Sequence, residues 1–203
     1  MTHTPDIDAY VSIMEEIKRR TNVVHSLLSQ KITLVYPATQ IETMALQIRM
    51  ILELIALASL SANKSLFEEN AKKFNKHWHP GDILKDIESI NPSFFPEPIK
   101  EVPSKTPGVV NDLVALKDGY ITKEELIEAH GRCGNILHAQ NPYGKGIDYD
   151  EFRKSIESSI AKVVCLLNCH KIHLVNQPNF YLIHMKEDQD DRVHYYTFGP
   201  VNS

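Results

Sequence analysis

The chain of 203 residues lacks the features that mark fibrous, disulfide-rich and membrane-spanning proteins. Its 8 glycines are too few for collagen-like or low-complexity sequence. Its 3 cysteines are too few for a disulfide framework, so we expect a reducing compartment, the cytoplasm. The longest apolar stretch, 48–60, contains Arg49 and Glu53 and is shorter than the roughly 20 residues that a membrane-spanning helix needs. We therefore expect no membrane partner.

An excess of positive charge is also missing. The chain has 22 Lys and Arg against 26 Asp and Glu, giving a net charge of −4. This excludes a broadly basic nucleic-acid-binding surface but is compatible with a local basic groove. A chain of this length buries roughly 70% of its unfolded surface, enough for one sizeable core. We therefore expect a single domain over residues 1–203.

Capping patterns and apolar periodicity predict an all-α fold, an up-and-down helical bundle. Four segments open with a capping-box pattern: Thr39/Glu42, Ser65/Glu68, Thr122/Glu125 and Asp148/Glu151. The predicted helices cover 5–30, 40–64, 66–76, 82–90, 123–140 and 149–170. The second of these is apolar nearly all round, so we expect it to be the central and most buried helix.

Two parts of the chain are predicted to lie outside this bundle. The segment 91–108 contains five prolines and is predicted to be an extended connection rather than an element. The segment 109–117 is predicted to be a short helix. The tail 172–200 is rich in β-branched and aromatic residues, which predicts a small C-terminal β-hairpin as an appendage. Its strands are expected at 180–185 and 193–198, with 172–175 as a third strand.

The helix predicted over 123–140 carries the most informative polar face. At about 100° per residue, Arg132 and His138 each lie about 60° from Asn135. The helix should end at Asn141, because a residue that precedes proline disfavours the helical conformation. An imidazole transfers protons near neutral pH, and a guanidinium binds a phosphate through two hydrogen bonds. The face is therefore suited to phosphodiester chemistry.

The run Arg132-Cys133-Gly134-Asn135-Ile136-Leu137-His138 resembles the R-x4-6-H motif of the HEPN superfamily of small helical domains. Many of its members are metal-independent ribonucleases of bacterial defence and toxin–antitoxin systems, and dimerisation brings two of their motifs into one cleft. The resemblance implies a homodimer that cleaves RNA without a metal or cofactor. It also implies that Arg132, Asn135 and His138 are the catalytic residues.

Three further residues are candidates for binding RNA. Glu15-x3-Arg19-Arg20 resembles an E-x3-K/R pattern found in part of the HEPN superfamily, which implies a role for Arg19 and Arg20. Tyr143 lies in the loop that follows the motif helix. Arg19 and Arg20 also precede His25 by six and five residues, which offers a second Arg/His pair on the first helix.

A second hypothesis is a non-catalytic HEPN-like module that binds a protein partner through the hairpin or the 91–108 segment. On this hypothesis, Arg132 and His138 belong to an ordinary solvated helix face. Their position in space separates the two hypotheses. A shared concave surface favours the enzyme, whereas a salt bridge or exposure to bulk solvent favours the binding module.

Two other groups of side chains have simpler interpretations. Three charged residues share one stripe of the second helix: Glu42, Arg49 and Glu53. We interpret them as an i,i+4 ion pair between Arg49 and Glu53, with Glu42 in a capping box. A spacing compatible with zinc is shown by Cys165, Cys169 and His173. The C-x-x-C pairs of structural zinc sites are absent, and cysteine often acts as a small buried hydrophobe, so we predict no metal site.

Overall fold

The computed structural model describes residues 5–61, 80–89, 91–139, 141, 143, 146–173 and 179–199. Within these residues, five helices and a five-stranded antiparallel sheet share one core. The helices are α1 (Pro5–Leu28), α2 (Pro37–Ser61), α3 (Pro80–Glu88), α4 (Lys123–Ile136) and α5 (Tyr149–Leu167). The strands are β1 (Glu97–Pro103), β2 (Asn111–Ala115), β3 (Cys169–His173), β4 (Phe180–His184) and β5 (His194–Phe198). Their order across the sheet is β2-β1-β3-β4-β5.

The predicted all-α bundle with a small hairpin is wrong, because the sheet extends well beyond the C-terminal strands. The hairpin itself is confirmed, and β4 and β5 pair from Phe180 opposite Phe198 to His184 opposite His194. However, β1 lies in the segment predicted to be a connection, and β2 lies in the segment predicted to be a helix. Because β1 pairs with β3, the tail 172–200 is part of a larger sheet rather than an appendage.

The prolines of β1 are compatible with a strand because they lie at the ends of its pairing with β2. That pairing runs from Ile99 opposite Ala115 to Pro103 opposite Asn111. Pro98 precedes it, and the carbonyl of Pro98 accepts a hydrogen bond from the Leu116 N–H at 2.9 Å. A missing proline N–H therefore costs no bond inside the ladder.

A tight turn joins β1 to β2. The Val109 N–H donates to the Thr106 carbonyl at 3.1 Å across Pro107 and Gly108. Gly108 has a φ of +84°, which glycine adopts without steric cost. Pro-Gly between two extended segments is a hairpin signature, and it outweighs the helical interpretation of residues 109–117.

The helices predicted over 5–30, 40–64, 82–90, 123–140 and 149–170 are found as α1 to α5, with ends that differ by a few residues, whereas the helix predicted over 109–117 is wrong. The helix predicted over 66–76 and the Ser65/Glu68 box lie outside the described residues. The capping box of α4 has both of its bonds. The Glu125 N–H donates to Thr122 Oγ1 at 3.2 Å, and the Thr122 N–H donates to Glu125 Oε2 at 3.1 Å. At the start of α5, Asp148 Oδ1 accepts the Glu151 N–H at 2.9 Å.

The capping box predicted at Thr39 and Glu42 is wrong. Helix α2 begins at Pro37, so Thr39 already lies in the first turn. Its hydroxyl donates to the Tyr36 carbonyl at 2.6 Å. Proline at the first helical position sets the start of α2 because its fixed φ suits a helix. An N–H at this position would have no acceptor within the helix, so its absence costs no hydrogen bond.

Helix α2 is the central helix, as predicted. It packs against α1, α3, α4 and α5. Its buried side chains form much of the core: Ile41, Met44, Ala45, Ile48, Ile51, Leu52 and Ile55. None of the helices in the described ranges combines the length and apolar character that crossing a bilayer requires.

The sheet turns one face toward the helices. His170, Ile172, Tyr181 and Ile183 lie on this face and are buried. Tyr10 of α1 connects the two layers, because its hydroxyl lies 2.8 Å from His170 Nε2. Alternate residues point to the opposite face of a strand. Cys169, Lys171 and His184 therefore lie on the other face, which we call the outer face of the sheet.

Candidate functional site

Helix α4 has the amphipathic character that the sequence predicted. Its buried side includes Leu126, Ala129, Cys133 and Ile136. Arg132, Asn135 and His138 are exposed. Arg132 Nη1 lies 3.2 Å from Glu128 Oε1, in an ion pair whose side chains are 48% and 67% exposed.

Arg132 also lines a polar cleft of about 280 Å³ between α4 and α5. Its other lining residues include Glu128, Lys162 and Ser158. Lys162 pairs with Glu125 at the edge of the cleft, and its hydrogen bond lowers the pKa of the Glu125 carboxyl. The two cations of the cleft are each paired with a carboxylate, Arg132 with Glu128 and Lys162 with Glu125.

His138 lies outside this cleft. It follows the end of α4 at Ile136, and the side chains that line the cleft among the described residues do not include it. It comes six positions after Arg132, which would correspond to about 9 Å along the axis if the helix continued to His138. Among the described residues, Arg132 and His138 therefore do not line one cleft.

A polar cluster between α2 and α4 lies next to the motif. Arg49 Nε donates to Glu53 Oε1 at 3.1 Å, so the predicted Arg49–Glu53 pair is confirmed. The same Glu53 oxygen lies 2.9 Å from His130 Nε2. His130 is 3% exposed and was not recognised in the sequence. One carboxylate thus holds a guanidinium of α2 and an imidazole of α4.

Gly134 makes room for the Arg49 guanidinium. A Cβ atom at Gly134 would lie 3.1 Å from Arg49 Nη1, tighter than an ordinary van der Waals contact. Burial raises the pKa of the Cys133 thiol to about 11, and the positive charges of Arg132 and Arg49 both oppose this shift. Both arginines therefore act on Cys133, but Arg132 lies about 200° around α4 from Gly134 and from the Arg49 guanidinium. We call Arg49, Glu53, His130 and Gly134 the α2–α4 seam.

The structure does not bring Arg19 and Arg20 to the seam. Both pair with Glu16 on α1, at 3.0 and 2.8 Å. Arg20 Nη1 also donates to Gln47 Oε1 at 2.9 Å. Gln47 precedes Arg49 by two residues, which places it about 200° away around α2. Arg20 and the seam therefore lie on opposite sides of this helix.

The remaining candidates lie on two other surfaces. Tyr143 is 96% exposed in the loop after α4. His25 is exposed and lines a cavity of about 290 Å³ between α1 and α5, together with Lys18 and Lys186. Neither arginine of the second Arg/His pair lines that cavity. Within the described residues, neither Arg/His pair therefore has both of its partners in one cavity.

Comparisons with family models, with curated proteins and with solved structures give no match for this chain. The resemblance to the HEPN superfamily stays a prediction that rests on the Arg132–His138 motif. Roles for individual residues accordingly rest on the geometry of the seam and on the chemistry of its side chains.

Proposed function

We propose that the chain is a metal-independent endoribonuclease of the HEPN type whose site lies at the α2–α4 seam. The observation that carries this proposal is the position of Arg49. Glu53 holds its guanidinium against Gly134, on the helix that also bears Arg132 and leads into His138. The setting implied by the motif is bacterial defence or a toxin–antitoxin system.

The chemistry uses the 2′-hydroxyl of RNA as the nucleophile. The 2′ oxygen attacks the neighbouring phosphorus, its proton passes to an imidazole, and the bond to the 5′ oxygen breaks. The products are a 2′,3′-cyclic phosphate and a 5′-hydroxyl. His138 carries out one of the two proton transfers, and His138 of a second copy carries out the other.

Arg132 stabilises the charge that develops on the oxygens of the phosphate that is cleaved. Arg49 contacts a neighbouring phosphate, because Gly134, beside which its guanidinium lies, is about 200° around α4 from Arg132. Arg132 pairs with Glu128 in the free protein, but an exposed pair of this kind contributes at most about 1 kcal/mol. A phosphate therefore displaces Glu128 at low cost. Asn135 orients the phosphate, and Tyr143 offers an aromatic ring on which a base stacks.

The proposed enzyme is a homodimer, and α2 carries the surface that supports this. Leu46 and Leu57 are 43% and 40% exposed, and they share one stripe of α2 with Glu53. Exposed apolar side chains beside a functional cluster are typical of an interface. Pairing along this stripe brings two seams together.

Light scattering is therefore expected to give twice the chain mass of 23.1 kDa at micromolar concentration. Leu46→Glu and Leu57→Glu together should return the mass to that of one chain, because they place charge in an apolar interface. Val110→Glu, at a position 84% exposed in a β-hairpin, is the matched control and should leave the dimer intact. A monomeric wild-type protein contradicts this assembly.

The proposed location is the cytoplasm. All three cysteines are free, which fits a reducing compartment that also contains RNA.

A non-catalytic binding module is the second candidate. It is favoured by the Arg132–Glu128 pair and by the position of His138 outside the cleft. On this alternative, the exposed stripe of α2 binds a protein partner and the protein cleaves no RNA.

Gly134→Ala tests whether the position of Arg49 matters. The added methyl group pushes the guanidinium away, and we expect RNA cleavage to fall about ten- to hundredfold, as for a misplaced catalytic group. The free energy of unfolding should stay unchanged or rise by up to about 1 kcal/mol, because alanine favours a helix more than glycine does.

Gly131→Ala is the matched control on the same helix. A Cβ at Gly131 meets no atom within 4 Å among its neighbours, so this variant gains the same helix propensity without moving Arg49. Its cleavage rate should equal that of the wild type. Equal rates for the two alanine variants would contradict a dependence of cleavage on the position of the Arg49 guanidinium.

A further inference from the structure

The outer face of the sheet carries a cluster of three different metal-ligating groups. The carboxylate of Glu101, the thiol of Cys169 and the imidazole of His184 each place one ligand atom within 4.8 Å of the other two. It is the one such group that includes three His, Cys, Asp or Glu side chains within the described residues. The cluster lies across the sheet from the helices and is separate from the α2–α4 seam.

The pairing of three strands assembles the cluster. Cys169 of β3 lies opposite His184 of β4. The adjacent Met185 N–H donates to the Asn168 carbonyl at 3.0 Å, so Cys169 and His184 form a non-hydrogen-bonded pair, in which side chains are closest. The register of β1 with β3 places Glu101 diagonally from Cys169 on the same face.

The spacing of the ligand atoms fits a tetrahedral metal ion. His184 Nε2 lies 3.4 Å from Glu101 Oε2, which is long for a hydrogen bond. Nitrogen and oxygen ligands at about 2.0–2.2 Å from a tetrahedral zinc ion stand about 3.3–3.5 Å apart. Nε2 is shielded from solvent and makes no hydrogen bond within the described part of the chain. A buried ring nitrogen without a hydrogen bond is able to donate its lone pair to a metal ion.

A carboxylate lies on the far side of the His184 imidazole, beyond the distance of a formed hydrogen bond. Glu187 Oε1 lies 3.5 Å from the other ring nitrogen, Nδ1 of His184. The same Glu187 oxygen accepts a hydrogen bond from the Tyr196 hydroxyl, and the Tyr196 ring meets the His184 ring edge-on at 5.3 Å. A carboxylate behind a metal-ligating imidazole fixes its tautomer and its orientation.

A role for Cys169 as a nucleophile fits its surroundings less well than a role as a metal ligand. Burial, helped by the negative charge of Glu101, raises the pKa of the Cys169 thiol to about 11. Catalytic thiols lie in electropositive surroundings that lower their pKa. A carboxylate beside the thiol is instead the arrangement that a cation stabilises.

We propose that Glu101, Cys169 and His184 bind one zinc ion on the outer face of the sheet, with water in the fourth position. A thiolate, an imidazole and a carboxylate together are a ligand set that zinc accepts. The ion links β1 to β3 and β4. Strands β1 and β3 are joined by only two registered pairs, Glu97 with Lys171 and Pro98 with His170, fewer than any other pair of neighbouring strands in the sheet. The ion therefore stabilises the pairing of β1 with β3.

Metal-free protein, prepared with EDTA and desalted, is titrated with Zn²⁺ by calorimetry and with Co²⁺ by absorption spectroscopy. We expect one ion per chain and a thiolate-to-cobalt charge-transfer band. Zn²⁺ at about a hundred times its Kd should raise the Tm by about 5–10 °C. No binding of either ion by the wild-type protein overturns the proposal.

Substitutions identify the ligands. Cys169→Ser, His184→Gln and Glu101→Gln should each weaken Zn²⁺ binding by more than about a hundredfold, and Glu187→Gln by about ten- to hundredfold. Cys165→Ser is the matched control and should keep both the affinity and the cobalt band, because the Cys165 side chain instead faces Gly119. Circular dichroism of each variant verifies its fold. A cobalt band that persists in Cys169→Ser, or disappears in Cys165→Ser, overturns the assignment.

Discussion

Replacing His138 with alanine is expected to lower RNA cleavage about a hundredfold or more, the usual effect of removing a proton-transferring side chain. The side chain is exposed, so the free energy of unfolding should change by no more than about 0.5 kcal/mol. Single-turnover cleavage of a labelled RNA measures the first quantity, and thermal unfolding measures the second.

Arg132→Ala should produce a loss of similar size, because it removes a group that stabilises charge in the transition state. Arg49→Ala should lower cleavage about tenfold or more, because it removes a group that positions the RNA. The His138/Arg132 double variant should be little worse than either single variant, since groups that act as one unit are not additive. Arg49→Lys keeps the charge but loses the planar guanidinium that forms two parallel hydrogen bonds. We therefore expect its activity to lie between those of Arg49→Ala and the wild type.

His25→Ala is the matched control. His25 is an exposed histidine on α1, and it follows Arg19 and Arg20 as His138 follows Arg132. Its variant should cleave RNA at the wild-type rate. An essential His25 with a dispensable His138 would move the chemistry to α1 and remove the basis for the roles assigned to α4.

The stability of the fold is expected to decrease as the pH falls from about 6.5 to about 4, because His170 is buried without charge. Desolvation by burial lowers the pKa of its imidazole to about 4. Nδ1 donates to the Leu167 carbonyl at 2.8 Å, and Nε2 accepts from the Tyr10 hydroxyl at 2.8 Å. The neutral ring therefore has both hydrogen bonds satisfied.

Proton binding by the unfolded chain explains why the stability decreases as the pH falls. Between these two pH values, the unfolded chain binds a proton at residue 170 and the folded chain does not, so lowering the pH favours unfolding. The contribution of His170 to the loss is about 3 kcal/mol. Chemical denaturation at a series of pH values measures it.

His170→Gln isolates this contribution. The variant should lose most of the pH dependence between about 6.5 and 4, whereas His25→Gln, at an exposed position, should retain it. Other groups leave a small pH dependence in the His170 variant. The lowered pKa values of His173, Glu16 and Glu125 add a slope of the same sign, and the raised pKa of His194 adds one of the opposite sign. Identical slopes in the wild type and in His170→Gln would contradict a buried neutral imidazole.

The helices were predictable because their determinants are local. The Thr122/Glu125 box and the apolar face of α4 each lie within one short segment, and they are found as predicted. Strand β1 was missed because prolines argue against a strand until the register is known, and β2 was missed because residues 109–117 were interpreted as a helix. Only the pairing shows that Pro98 and Pro103 lie at the ends of the ladder. Pro107-Gly108 was the local sign of this hairpin.

The seam could be predicted only in part, for the same reason. The Arg49–Glu53 pair is local to α2, and the polar face with Arg132 is local to α4. The contact of Glu53 with His130 joins residues 77 positions apart, and it depends on which helix faces meet. The outer-face cluster likewise depends on the register of three strands. Sequence spacing suggested Cys165, Cys169 and His173, whereas the sheet groups Cys169 with Glu101 and His184.

Product analysis after incubation in EDTA tests the proposed cleavage most directly. The substrates are a pool of single-stranded RNA of mixed sequence and DNA of the same sequences, which lacks the 2′-hydroxyl. We predict that the wild-type protein cuts the RNA to fragments with 2′,3′-cyclic phosphate and 5′-hydroxyl ends and leaves the DNA intact. RNA that stays intact, cleavage of both substrates, or fragments with 5′-phosphate ends would contradict a metal-independent ribonuclease site at the α2–α4 seam.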